Sequence, residues 1–103
     1  MQKVIVLYNL KPGVQLEDYM EFSRAIDQVI TPFQPGVIRF EVYAVKGSDR
    51  PETPYQIMED IEVESWEAWQ ATLNGAGMKK VLEEWEKYGD GSSVVTLFGD
   101  KVK

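Results

Sequence analysis

The chain has 103 residues, enough for one domain with a single core and small enough to gain from a partner. Its net charge of −6 argues against nucleic acid and against an anionic membrane surface, since both need basic patches. It contains no cysteine and no histidine, which excludes disulfides, thiol catalysis, a Ser–His pair, histidine-ligated haem and a histidine-rich zinc site within one chain. Acid–base work then falls to Asp, Glu, Tyr or Lys. Residues 1–8 lack the extended apolar region and cleavage site of a signal peptide, and no stretch approaches the roughly 20 apolar residues of a spanning helix. The expectation is a soluble, cytoplasmic protein.

Residues 3–10 open the chain with a β-branched run that is apolar on both faces, which predicts a central strand covered on both sides. Lys11-Pro12-Gly13 is a turn. From Leu16 to Ile30 the spacing predicts a helix whose inner face carries Leu16, Tyr19, Ser23, Ile26 and Ile30. Glu17 and Asp18 suit its first turn, and Thr31-Pro32 ends it. Residues 37–45 alternate cleanly, with Ile38, Phe40, Val42 and Ala44 on one face and Arg39, Glu41 and Tyr43 on the other. A Gly- and Pro-containing loop covers 46–54, and a second alternating strand covers 55–63. Ser65 is a predicted N-cap for a helix bearing Trp66, Trp69 and Leu73. Met78, Val81, Leu82 and Trp85 mark another short helix, and 93–98 form a last strand. The order strand, helix, strand, strand, helix, helix, strand is the ferredoxin-like split βαβ pattern, an α+β single domain over residues 1–103.

The second alternating strand holds the residue that breaks its own pattern. One face reads Tyr55, Ile57, Glu59, Ile61, Val63. That is a core face with a carboxylate in it, and burying an ionised carboxylate without partners is prohibitive. Glu59 is therefore paired, protonated or facing a cavity, and the last two are ways in which proteins tune an acid or base. The register follows from keeping both apolar faces together, because a slip of one residue would invert every side chain. This sets Phe40, Val42, Ile57 and Ile61 around Glu59 and leaves Arg39 to pair with Asp60 or Glu62 on the opposite face; the opposite register would bring Arg39 to Glu59 but set apolar residues opposite acids along the hairpin. That opposite face is partly apolar, since Ile5 and Leu7 also point to it. The chain has no spare helix to cover it, so a second copy, packed sheet to sheet, is the expected cover.

Three strings, VIVLYNLKPGV at 4–14, IEVESWEAWQA at 61–71 and VLEEWEKYGDG at 81–91, together with the order of elements, carry a resemblance. The chain resembles the dimeric α/β-barrel superfamily, which includes small antibiotic-biosynthesis monooxygenases, muconolactone isomerase and EthD-like proteins. Within it, the chain is most similar to the RedY-like proteins of prodiginine and related pigment pathways. The resemblance implies a homodimer whose two four-stranded sheets form a barrel with the helices outside. It also implies a small-molecule pocket between sheet and helices in each subunit. Members that carry haem or an essential histidine do so with residues this chain lacks.

The expected site thus has Glu59 as acid or base, with Tyr8 and Asn9 at the end of the first strand orienting a ligand. Phe40, Trp66 and Trp69 supply apolar and aromatic walls. Each has a plainer reading. Glu59 pairs with Arg24 or a lysine, Tyr8 is a core aromatic with a bonded hydroxyl, and the two tryptophans are an ordinary helix stripe. Ser23 is read as bonding back to its own helix. No metal or organic cofactor is expected. The expected partner is a small hydrophobic, heteroaromatic molecule, and the reactions open to such a site are condensation, cyclisation, isomerisation or cofactor-free oxidation. A non-catalytic carrier or a structural dimerising subunit on the same scaffold are the alternatives.

Overall fold

The computed structural model describes every residue except Thr53. Four strands, β1 (Gln2–Tyr8), β2 (Val37–Ala44), β3 (Ile57–Val63) and β4 (Val95–Gly99), form one antiparallel sheet in the order β2-β3-β1-β4. Helices α1 (Leu16–Phe22), α2 (Gln28–Ile30), α3 (Trp66–Leu73) and α4 (Lys79–Trp85) connect the strands. This is the ferredoxin-like arrangement expected from the order of elements. No helix among the described residues is long and apolar enough to cross a membrane.

Local chemistry sets the ends of several elements. The Ser65 side chain accepts from the Ala68 N–H at 3.0 Å and caps α3, as its position before Trp66 predicts. Gly36 adopts a positive φ of 82° in the turn before β2, and a Cβ there would stand 2.9 Å from the Ala68 Cβ. Only glycine meets both conditions, so this turn lets β2 enter the sheet directly beneath α3.

The sheet registers as the hydrophobic pattern requires, with one departure. Phe40 faces Ile61, Val42 faces Glu59 and Ala44 faces Ile57. The register shifts between Val37 and Arg39, so Ile38 occupies a bulge. An extra residue reverses the alternation beyond it. Val37 therefore packs against the core and Ile38 is exposed, contrary to the expectation from alternation alone. Arg39 also departs from its expected partners. It pairs with Glu41 at 2.8 Å, its own neighbour along the strand, while Asp60 is taken by Lys3 at 2.7 Å. β1 ends at Tyr8, and Leu10 follows as an isolated bridge to Gly89. β4 begins at Val95 rather than Ser93, because residues 91–93 form a 3-10 turn.

The first helical segment differs most from its predicted face. Between α1 and α2 the backbone forms a π-helical turn, Ser23–Asp27. The buried residues are Tyr19, Phe22, Ser23, Asp27 and Thr31, while Leu16 is exposed and Ile26 and Ile30 are only half-buried. The Ser23 hydroxyl accepts from Gln28 Nε2 at 3.0 Å instead of serving only its own turn.

Two apolar clusters fill the space between sheet and helices. One gathers Tyr8, Leu10, Tyr19, Phe22, Ile57, Met78 just before α4 and Val81 within it. The other gathers Val4, Phe40, Ile61, Val63 and Trp69. The seam between them is the sheet row Val42–Glu59–Val6–Thr96. Glu59 sits at the point where the core divides.

Candidate functional site

A cavity of about 210 Å³ opens along that seam. Its floor on the sheet is Val6, Tyr8, Phe40, Glu59 and Thr96. Its helical walls include Asp27, Thr31, Trp69, Leu73 and Trp85. Leu82 and Val94 complete the rim; both are exposed, as is Thr96, which places the mouth between α4 and the β4 edge. A dry 150 Å³ cavity is large enough for benzene, so this space suits one aromatic ring or a compact fused pair.

Glu59 lies on the cavity floor at 8% exposure. Its Oε2 accepts from the Tyr8 hydroxyl at 2.9 Å, and that hydroxyl is 2.5 Å from the Tyr19 hydroxyl. With Tyr8 donating to the carboxyl, Tyr19 donates to Tyr8, and a directed chain of hydroxyls runs from α1 to β3. The ring of Tyr8 is held edge-on against Trp85, with centroids 5.1 Å apart. No ion pair reaches Glu59 among the described residues, and Arg24 is exposed. Burial raises the Glu59 carboxyl to about 8, the charge of Asp27 adds to the rise, and the Tyr8 hydrogen bond opposes it. The hydroxyls of Tyr8 and Tyr19 are pushed up as well, first by burial and then by Glu59, so both remain donors at any ordinary pH.

Asp27 is the second buried acid of the same cavity, at 3% exposure. Its Oδ1 accepts from the Thr31 hydroxyl at 2.5 Å. Burial raises it to about 6, and the Thr31 hydrogen bond holds that rise back. Among the described residues, no lysine or arginine lines the cavity.

The cavity gathers Glu59, Tyr8, Phe40 and Trp69 and leaves out two residues expected there. Asn9 instead ties the loop that precedes β3. Its Nδ2 donates to the Pro54 carbonyl and its Oδ1 accepts from the Gln56 N–H, both at 3.0 Å. The residue after Tyr8 leaves the strand, so its side chain turns to the loop rather than to the core. Trp66 opens α3 at the sheet margin and stacks on Phe98, with centroids 4.1 Å apart and planes within 8°. It lies one helical turn before Trp69 and covers the far end of the smaller cluster. Asp27, Thr31 and Trp85 are among the cavity residues that the sequence does not single out. A signal for the first two exists, because Tyr19, Ser23, Asp27 and Thr31 recur every four residues. A regular helix turns every 3.6 residues and would carry such a stripe off the core face. The π turn absorbs that drift.

Comparison with known proteins bears on this geometry. A family model described as REDY-like protein HapK matches residues 2–102. The chain belongs to this family. Among solved structures, HapK from Hahella chejuensis superposes with a TM-score of 0.81 at 19% identity, over 99% of this chain and 93% of that one. An EthD family protein from Bacillus halodurans gives a TM-score of 0.75 at 20% identity, over 99% of both chains. A dimeric protein with a ferredoxin-like fold from Bacteroides fragilis gives 0.72 at 16% identity, over 97% of this chain and 95% of that one. At such identities the structural likeness carries the fold and no more. No curated protein matches the sequence. The REDY-like family thus supplies the scaffold, and the chemistry has to be read from the residues of the cavity.

Proposed function

We propose that this REDY-like protein is a small-molecule pathway protein that binds a compact heteroaromatic molecule in the cavity and, without a cofactor, uses Glu59 to transfer a proton to or from it. The observation that carries the reading is a buried carboxyl without a cationic partner on the floor of an apolar cavity, oriented by Tyr8 at 2.9 Å. A structural carboxylate in a core is normally compensated by a positive charge. This one is held instead at about 8, where both forms are populated near neutral pH and where general acid–base catalysis is most effective. Phe40, Trp69 and Trp85 offer faces and edges to a flat ligand, and Tyr8 keeps the carboxyl in one rotamer. Condensation, cyclisation and isomerisation of a heteroaromatic all contain such a proton transfer.

The test is turnover of heteroaromatic intermediates by the wild type and by Glu59→Gln, which keeps the shape and removes the titration. Loss of about 10²–10⁴-fold in kcat, with ligand binding by tryptophan fluorescence retained, is expected for a general acid or base. Unchanged turnover of a substrate by the variant would end the acid–base reading. Tight binding by both proteins with no chemical change to the ligand would replace the enzyme with a carrier on the same scaffold.

A further inference from the structure

Asp27 has no part in the reading above, yet its placement is costly and specific. It is buried, it lines the same cavity as Glu59, and it is delivered there by the only π-helical turn among the described elements. Such turns interrupt regular helices frequently at functional sites. Thr31 fixes one oxygen, Oδ1, from the next turn of the chain. Tyr8 fixes one oxygen of Glu59, Oε2. The remaining oxygens, Asp27 Oδ2 and Glu59 Oε1, have no hydrogen-bond partner among the described residues. No fully buried side-chain oxygen or nitrogen among them is left unpartnered. The two free oxygens therefore retain access to open space, and the space both residues line is the cavity.

We infer that Asp27 and Glu59 form one acid–base couple across the cavity, with Asp27 the proton acceptor and Glu59 the proton donor in a proton shift within a bound heteroaromatic ligand. The inference rests on the proposed function and adds to it a second catalytic residue and a reaction class. In the step, the Asp27 carboxylate takes a proton from a C–H or N–H of the ligand. The freed electron pair moves through the ring system, and the atom that receives it takes the proton of the Glu59 carboxyl. Nothing is oxidised or reduced. The protein is left with Asp27 protonated, Glu59 ionised and its total charge unchanged, and proton exchange with solvent at the mouth restores the starting form.

The electrostatics agree with this division of roles. The groups that face the pair are the hydroxyls of Tyr8 on β1, Tyr19 on α1 and Thr31 after α2; among the described residues no cation lines the cavity. Burial raises both carboxyls, but Thr31 holds Asp27 at about 6 while the charge of Asp27 helps to hold Glu59 at about 8. Both carboxyls are raised, Glu59 the more strongly, so Asp27 gives up its proton more readily than Glu59. Two carboxyls pushed apart in this way are an acid and a base ready in the same site.

Nitrobenzisoxazole tests the couple without knowledge of the natural ligand. A carboxylate in an apolar cavity opens this fused ring by taking its heterocyclic C–H proton; the N–O bond breaks, a nitrile forms, and the product phenolate is read by absorbance. The wild type is expected to exceed free acetate at equal concentration by about 10²-fold or more. Asp27→Asn is expected to lose that excess. Ring opening lost in Glu59→Gln but intact in Asp27→Asn overturns the couple and leaves Glu59 as a lone base. Ring opening intact in both variants, or absent in the wild type, overturns the couple, and unchanged turnover of a natural substrate by Glu59→Gln would separately overturn the function on which it rests. Carbon NMR of the side-chain carboxyls in the wild type keeps the test decisive if Asp27→Asn does not fold. Two linked titrations displaced upward support the couple, and two ordinary, independent carboxylate titrations sink it.

Discussion

Glu59 and Asp27 make the stability of this protein depend on pH in an unusual direction. A surface carboxylate paired with a cation stabilises a protein at neutral pH and loses that effect in acid. Here both folded values lie above the ordinary ones, about 8 against 4.5 for Glu59 and about 6 against 3.8 for Asp27. The folded state therefore holds protons that the unfolded state has released. Stability is fully present below the unfolded values and falls as pH rises through the folded ones, each unit of difference being worth about 1.4 kcal/mol. The thermal midpoint is expected to fall between pH 4.5 and about 8, and Glu59→Gln should flatten most of that fall. A midpoint in the wild type that stays level or climbs over this window would show that Glu59 is compensated. Tyr8→Phe acts on the same group with the opposite sign to Asp27→Asn. The Tyr8 hydrogen bond lowers the Glu59 carboxyl, so its loss raises the titration of Glu59 in carbon NMR; Asp27→Asn removes a like charge and lowers it. Glu59 was legible in the sequence because strand alternation has a strict period of two, and a single acid in an apolar face stands out. Asp27 was not, because its neighbours Ile26 and Ile30 fit a regular helical face better than it does. The backbone instead follows the weaker four-residue stripe Tyr19, Ser23, Asp27, Thr31 through a π turn.

At the scale of elements, the cavity depends on the segment that joins α4 to the rest of the sheet. Gly89 bridges to Leu10, and a Cβ at Gly89 would stand 2.1 Å from the Trp85 Cζ2. The neighbouring atom belongs to an indole ring packed edge-on against Tyr8, so it has little freedom to withdraw. Gly89→Ala should therefore destabilise by about 1–3 kcal/mol as an overpacking change. It should also push Trp85 into the cavity. Urea unfolding measures the first effect, and weaker binding of a fluorescence-quenching heteroaromatic measures the second. Full stability with unchanged binding would show that Trp85 is not held where the structure places it. The same scale explains the misplaced faces. Strand order, hairpin register and the α3 cap follow from hydrophobic period and one serine. The bulge at Ile38 does not, because Val37 and Ile38 are equally apolar, and only the fit of the hairpin against the sheet decides which of them points inward.

The whole molecule presents one face that its own helices leave bare. On the outer side of the sheet the row Tyr43–Met58–Leu7–Val95 is apolar, and the next, Glu41–Asp60–Ile5–Leu97, is apolar over β1 and β4. The third, Arg39–Glu62–Lys3–Gly99, is charged at three of its four positions. Tyr43, Leu97 and Val95 are all exposed, Leu97 at 55%. Leu97 stands on the edge strand, where contiguous apolar surface of this kind marks an association site. The charged row beside it, with Lys3 on Asp60 and Arg39 on Glu41, supplies a polar rim. A second copy packed face to face is the occupant that the family resemblance leads us to propose, since a two-fold axis brings the same face of both copies together and closes the assembly. Leu97→Asp puts a charge into the apolar half of that contact, where it would be desolvated without a partner. Sedimentation of the wild type at micromolar concentration should give a dimer and that of the variant a folded monomer, with the cavity and its carboxyls unchanged by NMR. A monomeric wild type would remove the dimer and leave the bare face to another protein. The cavity itself lies on the opposite side of the sheet, beneath the helices, so each subunit of the dimer should bind one ligand independently.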